Sequence, residues 1–414
     1  MRNGRLSPEN TESKQKSNFF FKFASKQNKT MKKQCLILFL LLGLFAPMHA
    51  QQEDSIAVKK FDKIQLNYGG ALRFNYNLST WKPNQIKRGG DFGFEVFRIN
   101  VDAVYKKWEF HIDQRFYAAG FGGAFLKYGY FRYNLNEKNH LKLGHIPAYF
   151  GTEQFNSHSW FFQLPFYLGF EDDHDMGVSY DFENDKIQFD LGFYKNAETL
   201  SFADNAPVSD ARYSYDFSGR NKEVNQLNAR LNYKFGKTVK QSVGASFQGG
   251  GIWNIDTESM GSHAALSLHY ELDYKNFNLK LQGISYNNKP ENAEGESRDM
   301  IEMTAYGFPY QTAAKANLYS IGLAYMIPVK WGPITSVQIY DDYTYMDKSV
   351  VSWEDTQMNV FGILVSANPV YVYIDYASGL HQPWLGPQWE MALTEGDKEN
   401  SWESRFNVNF GYYF

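Results

Sequence analysis

Among 414 residues there is one cysteine, Cys35. No disulfide can form within the chain and no cysteine cluster can hold a metal. Long apolar runs are missing as well. The longest, residues 35–45, is about half of the roughly 20 residues that a spanning helix needs, which excludes a helical membrane protein. Excess positive charge is absent, with 42 Lys+Arg against 45 Asp+Glu. That balance argues against a nucleic-acid partner. No Gly-x-Ser-x-Gly occurs, and His111, His145, His263, His269 and His381 are scattered singly, so no catalytic constellation stands out and no enzymatic activity is expected. The glycine runs Gly69-Gly70, Gly89-Gly90 and Gly249-Gly250-Gly251 precede no helical pattern. They read as strand bends and turn entries, not as phosphate cradles.

What is present begins with an export signal. Met31-Lys32-Lys33 is a basic start, residues 35–45 are apolar, and Pro47-Met48-His49-Ala50 precedes Gln51. Residues 31–50 read as a signal peptide cut after Ala50, and the unpatterned residues 1–30 as a misassigned N-terminal extension. Removing nine basic and two acidic residues leaves about −10 on residues 51–414. Cys35 leaves with the signal.

Aromatic residues form 18% of the chain although mean hydropathy is only −0.50. The two facts are reconciled by alternation. Ile64, Leu66, Tyr68, Leu72, Phe74 and Tyr76 share one face, and Gln65, Asn67, Arg73 and Asn75 the other. Phe97, Ile99, Val101, Ala103 and Tyr105 oppose Arg98, Asn100 and Asp102. A two-residue period is the mark of a strand with one apolar and one wetted face. Sixteen such segments are expected, near 62–78, 91–105, 108–118, 123–135, 139–149, 174–183, 186–196, 222–235, 239–253, 260–274, 276–288, 315–328, 333–346, 355–367, 369–380 and 402–414. The links alternate as well. Tight turns such as Lys106-Lys107, Asn184-Asp185 and Asn368-Pro369 follow the even strands, while most odd strands are followed by long links at 79–90, 150–173, 197–221, 289–314 and 381–401. The expected fold class is all-β: a transmembrane antiparallel β-barrel of about 16 strands, with short periplasmic turns and long extracellular loops, its outer wall facing outer-membrane lipid.

The final segment, SRFNVNFGYYF, resembles the closing strand of bacterial outer-membrane barrels, which carries the recognition signal for the barrel-insertion machinery. The stretch LKLGHIPAYFGTEQF, the loop after it, HDMGVSYDF and IQFDLGFYKN together resemble the phosphate-selective porin O/P family, particularly its Bacteroidetes members. FEVFRINVDAVYKKWEFHIDQRF and GDKENSWESRFNVNFGYYF resemble the family's early and closing strands. The resemblance implies an outer-membrane porin for passive diffusion of small polar or anionic solutes, phosphate among them, without cofactor. It also implies a homotrimer and a third loop, residues 150–173, folded inward as a constriction. A closed or plugged barrel serving as an adhesin or structural protein is the alternative.

Face assignment makes Arg73, Arg98, Arg115, Lys142, Arg230, Lys234, Lys280 and Arg405 the pore-lining candidates. Asp102, Glu109, Asp113, Asp181, Asp190, Glu271, Asp273 and Asp375 fall on the same side, so the lumen reads as mixed in sign, with no lysine cluster. Each basic residue is weighed equally as a solute contact and as the partner of a neighbouring acid. In the inward loop the candidates are His158, Glu171, Asp172, Asp173 and His174. The acidic run from Glu171 lacks the spacing and glycine turn of a calcium loop, so no metal site is assigned. Its acids are expected at the pore mouth.

Overall fold

A computed structural model describes residues 63–152, 155–198 and 203–414. The expected extension at 1–30 and signal at 31–50 lie outside the described residues. Sixteen strands close into one antiparallel barrel. In chain order its first half is β1 (Gln65–Ser79), β2 (Asp91–Tyr105), β3 (Trp108–Tyr117), β4 (Ala124–Asn134), β5 (Asn139–Pro147), β6 (His174–Glu183), β7 (Ile187–Asn196) and, past the two-residue β8 (Asp216–Phe217), β9 (Asn221–Phe235). The second half is β10 (Lys240–Asn254), β11 (Ser259–Tyr274), β12 (Phe277–Lys289), β15 (Lys315–Trp331), β16 (Ile334–Lys348), β17 (Thr356–Ala367), β18 (Val370–Leu380) and β19 (Glu403–Tyr413). Each barrel strand overlaps one of the sixteen expected segments. Tertiary pairing wins where the local pattern is poor: β4 and β17 alternate weakly in sequence and are held by ladders on both sides.

Alternation does the sorting. On β19, Phe406, Phe410 and Tyr412 are exposed on the outer wall, while Asn407 and Asn409 are buried inside. Closure between β1 and β19 removes the unpaired edges an open sheet would present. At its end, Gly70 N–H donates to the Phe414 carbonyl (2.8 Å) and Phe414 N–H to the Gly70 carbonyl (3.1 Å). A Cβ on Gly70 would lie 2.4 Å from the Arg98 carbonyl and 2.7 Å from the Phe414 ring, so only glycine fits this seam.

The long links do not extend away from the barrel. Residues 148–152, 155–173, 203–220, 290–314 and 381–402 pack inside its long-loop mouth around a three-stranded sheet, ordered β14 (Tyr310–Ala313), β13 (Met300–Thr304), β8. Phe161, Leu164, Phe166, Tyr167 and Phe170 join Tyr215, Tyr310, Leu385 and Leu393 in one apolar cluster with the inner wall. The short helix α1 (Leu164–Tyr167) lies at its centre, its Tyr167 carbonyl accepting from the Tyr310 hydroxyl at 2.6 Å. Burying each such side chain contributes roughly 1.5–3 kcal/mol, which explains why a loop rich in Phe and Leu is ordered.

Candidate functional site

The lumen is built from the polar faces of the strands, and register decides which charges meet. Arg230 on β9 lies directly opposite Asp190 on β7, and the two side chains close to 2.8 Å. Glu271 and Lys280 are likewise opposite on β11 and β12, 3.8 Å apart. Arg98 and Arg115 face each other as like charges on β2 and β3, an arrangement that repels unless an acid intervenes. Asp113 intervenes, 3.9 Å from one and 3.3 Å from the other. Arg73 meets Glu95 at 2.6 Å, Lys142 meets Asp181 at 2.7 Å and Lys234 meets Glu183 at 2.6 Å.

Thus seven of the eight pore-lining candidates are matched by carboxylates. The eighth, Arg405, has no carboxylate within ion-pair distance among the described residues. Its guanidinium lies 5.4 Å from the Trp81 ring and 5.9 Å from the Phe161 ring, a cation–π arrangement that leaves its charge uncompensated.

Sequence reading missed three basic groups. Lys127 pairs with Asp172 at 2.6 Å, Arg132 with Glu109 at 3.5 Å, and Arg212 with Asp216 at 2.7 Å and with Glu198. Lys127 and Arg132 sit on β4, whose ladder to β3 slips between Asp113 and Gln114, so simple alternation misassigns the face. Arg212 lies in a loop, where no period applies.

Residues 148–152 and 155–173 cross the lumen and are fastened to the inner wall. Asp342 on β16 accepts from the backbone N–H of His158 (2.7 Å) and Ser159 (2.8 Å) and lies 3.0 Å from His158 Nδ1. Gln163 donates to the carbonyls of Ile321 and Tyr343, Lys280 to that of Phe155, and Ser246 accepts from Gly151 N–H. The five candidates of this loop do not form one group. His158 contacts β12 and β16 through Asn278 and Asp342, whereas His174 donates its N–H to Asp173 and Ser214.

The acids of the run are buried, which corrects their expected place at the pore mouth. Glu171 accepts from Asn156 N–H at 3.2 Å. Burial pushes its carboxyl up to about 8. Asp172 binds Lys127 and accepts from the Tyr213 hydroxyl at 2.6 Å. Burial alone would raise its pKa, but the Lys127 charge and then its other charged neighbours outweigh this and hold it at about 2. These carboxyls are consumed by internal packing because aromatic loop residues on either side carry them under the cluster.

Paired charges of opposite sign leave little net field along the lumenal wall. Among the described residues no histidine side chain hydrogen-bonds a hydroxyl: His111 bridges Asp102 and Glu109, and His145 and His381 contact backbone carbonyls.

Comparison with solved structures returns the same architecture. The channel DcaP of Acinetobacter baumannii matches with a TM-score of 0.57 at 12% identity, over 87% of this chain and 99% of its own. The anion-selective porin from Comamonas acidovorans matches at 0.55 and 12%, over 85% and 100%. The outer-membrane protein OmpT of Vibrio cholerae, in its trimer form, matches at 0.54 and 14%, over 85% and 100%. No curated protein matches the sequence. The model of a family described as phosphate-selective porin O and P matches residues 66–349, spanning β1 to the end of β16. The chain therefore belongs to the phosphate-selective porin O and P family, and it is a bacterial outer-membrane porin for the passive diffusion of small polar or anionic solutes.

Proposed function

We propose that this porin is weakly selective, passing small polar solutes and anions, phosphate included, without a dedicated phosphate site. The carrying observation is the pairing of seven of its eight lumenal candidates with carboxylates, which leaves Arg405 as the principal uncompensated cation of that set. Residues 148–173 act as the constriction. The exposed aromatic face of β19 contacts lipid and serves the insertion machinery, and the working form is a homotrimer. The trimer form of the V. cholerae relative and the anion selectivity of the C. acidovorans relative support those two readings. The pore performs no bond chemistry and uses no cofactor.

Planar-bilayer recording tests this. Purified protein should give stable open steps, with a reversal potential in a potassium chloride gradient slightly on the anion side and no saturation by phosphate. Strong cation preference, or block of chloride current by low phosphate, would overturn it. Absence of open steps would instead favour the plugged, structural barrel, whose physical basis would be the apolar loop cluster in the mouth.

A further inference from the structure

Where the inward loop rejoins the wall, five carboxylates converge from five segments of the chain. Asp173 ends the loop, Asp175 opens β6, Glu198 follows β7, Asp216 lies on β8 and Glu223 on β9. Asp173, Asp175, Asp216 and Glu223 are each buried, and the Glu198 side chain is nearly so. One cation is present among them: Arg212, which binds Glu198 and Asp216. One guanidinium against five carboxylates leaves a buried negative excess that is costly unless something further neutralises it.

Two independent observations indicate what does. First, one oxygen from each of Asp175, Glu198 and Asp216 lies within 4.8 Å of the others, the spacing of ligands around a single ion. Second, buried ligand atoms are left without partners here: Asp175 Oδ1, Glu223 Oε1 and, beside them, His263 Nε2. Asp175 is wholly buried, yet among the described residues its side chain's only hydrogen bond is a 3.5 Å contact from Gln226 to the other oxygen. Orphaned acceptors at such depth are rare in folded proteins. Asp173, Asp216, Glu223 and His263 also line a cavity of about 20 Å³, enough for a water completing a coordination shell. The oxygens already bonded to Arg212 retain a second lone pair each.

We propose that Asp175, Glu198 and Asp216, backed by Asp173 and Glu223, bind one Ca²⁺ ion that staples the inward loop and β6 to β8 and β9. Oxygen-only carboxylate donors suit a hard cation with flexible coordination, and the flexible, many-oxygen set favours Ca²⁺ over Mg²⁺. The sequence hides the site because its ligands span residues 173–223 with no regular interval.

The test uses the full barrel refolded in detergent, free of lipopolysaccharide and stripped with EDTA. Calorimetric titration with Ca²⁺ at pH 7.5 should show one ion per chain, and the melting midpoint should rise on Ca²⁺ addition. Asp175→Asn should weaken binding by about tenfold or more and abolish the midpoint shift. If that variant does not fold, Glu198→Gln, which lies outside the strands, carries the same expectation. Asp347→Asn, away from the cluster, should behave as wild type. No binding up to about 10 mM Ca²⁺, beyond the range of weak extracellular sites, would overturn the proposal. Binding that survives in both cluster variants would place the ion elsewhere and overturn it equally.

Discussion

Two stretches of the inner wall treat their charges differently. From β2 to β9, arginines and lysines are answered by carboxylates on the same or nearby strands, as in Arg98 and Arg115 with Asp113, or Arg230 with Asp190. From β16 to β18, the inward acids Asp342 and Asp375 pair with no lysine or arginine among the described residues. Asp342 accepts from the backbone of residues 158–159, and Asp375 accepts from the Tyr340 hydroxyl through one oxygen while the other is unpartnered. The first stretch balances its field strand against strand. The second uses acids as clamps for a loop. Selectivity should therefore be set on the first wall, and the width and steadiness of the pore on the second.

The most disruptive way to break this division is Asp342→Ala. It leaves two loop N–H groups unpaired and should cost about 3 kcal/mol. Urea unfolding in detergent should show the loss, and single-channel records should show larger, noisier steps. If conductance is unchanged, the clamp is not what holds the loop. Next comes Glu171→Gln. The Glu171 carboxyl, ordinarily near 4.5, is raised to about 8 by burial. A raised acid stabilises the packed loop fully below 4.5, loses that contribution as pH climbs, and has lost it above about 8. Wild-type loop anchoring should weaken progressively between pH 5 and 9, read as rising current noise. In the glutamine variant the noise should no longer depend on pH over that range.

On the first wall, Asp190→Asn removes one negative charge beside Arg230 and should shift the permeability ratio several-fold towards anions. The equivalent change on the second wall, Asp375→Asn, should move it little. Smaller than the Asp190→Asn effect is that of Arg405→Gln, which removes the uncompensated cation and should lower chloride over potassium permeability roughly twofold. A larger drop would mean that the paired stretch contributes less than its composition indicates.

How far the sequence reaches follows the same divide. Barrel strands are legible because lipid on one side and water on the other impose a two-residue period for ten or more positions. The lumenal arginines are legible for the same reason, and so is their chance of meeting acids. Their partners are not, because register is set by ladders between segments far apart in sequence. The loops obey no period at all. β8, β13 and β14 are two to five residues long, too short to alternate visibly. The surroundings of Glu171 and Asp172 include Lys127 and Tyr213, which lie about forty residues away in the chain on either side. A run of acids looks solvated until the chain around it is placed.

The seam at Gly70 and Phe414 has a consequence in time. The β1–β19 ladder joins residues more than three hundred positions apart, whereas the other barrel ladders join strands that follow one another around the wall. Bringing such distant segments together costs only logarithmically more entropy than a short loop, but it makes slow kinetics. Fourteen strands can zip to their neighbours while these two wait as open edges, able to capture a foreign strand. A side chain at position 70 would thus be felt first as a pause: a curved, nearly complete sheet, held open at one line until it closes on itself or on another chain.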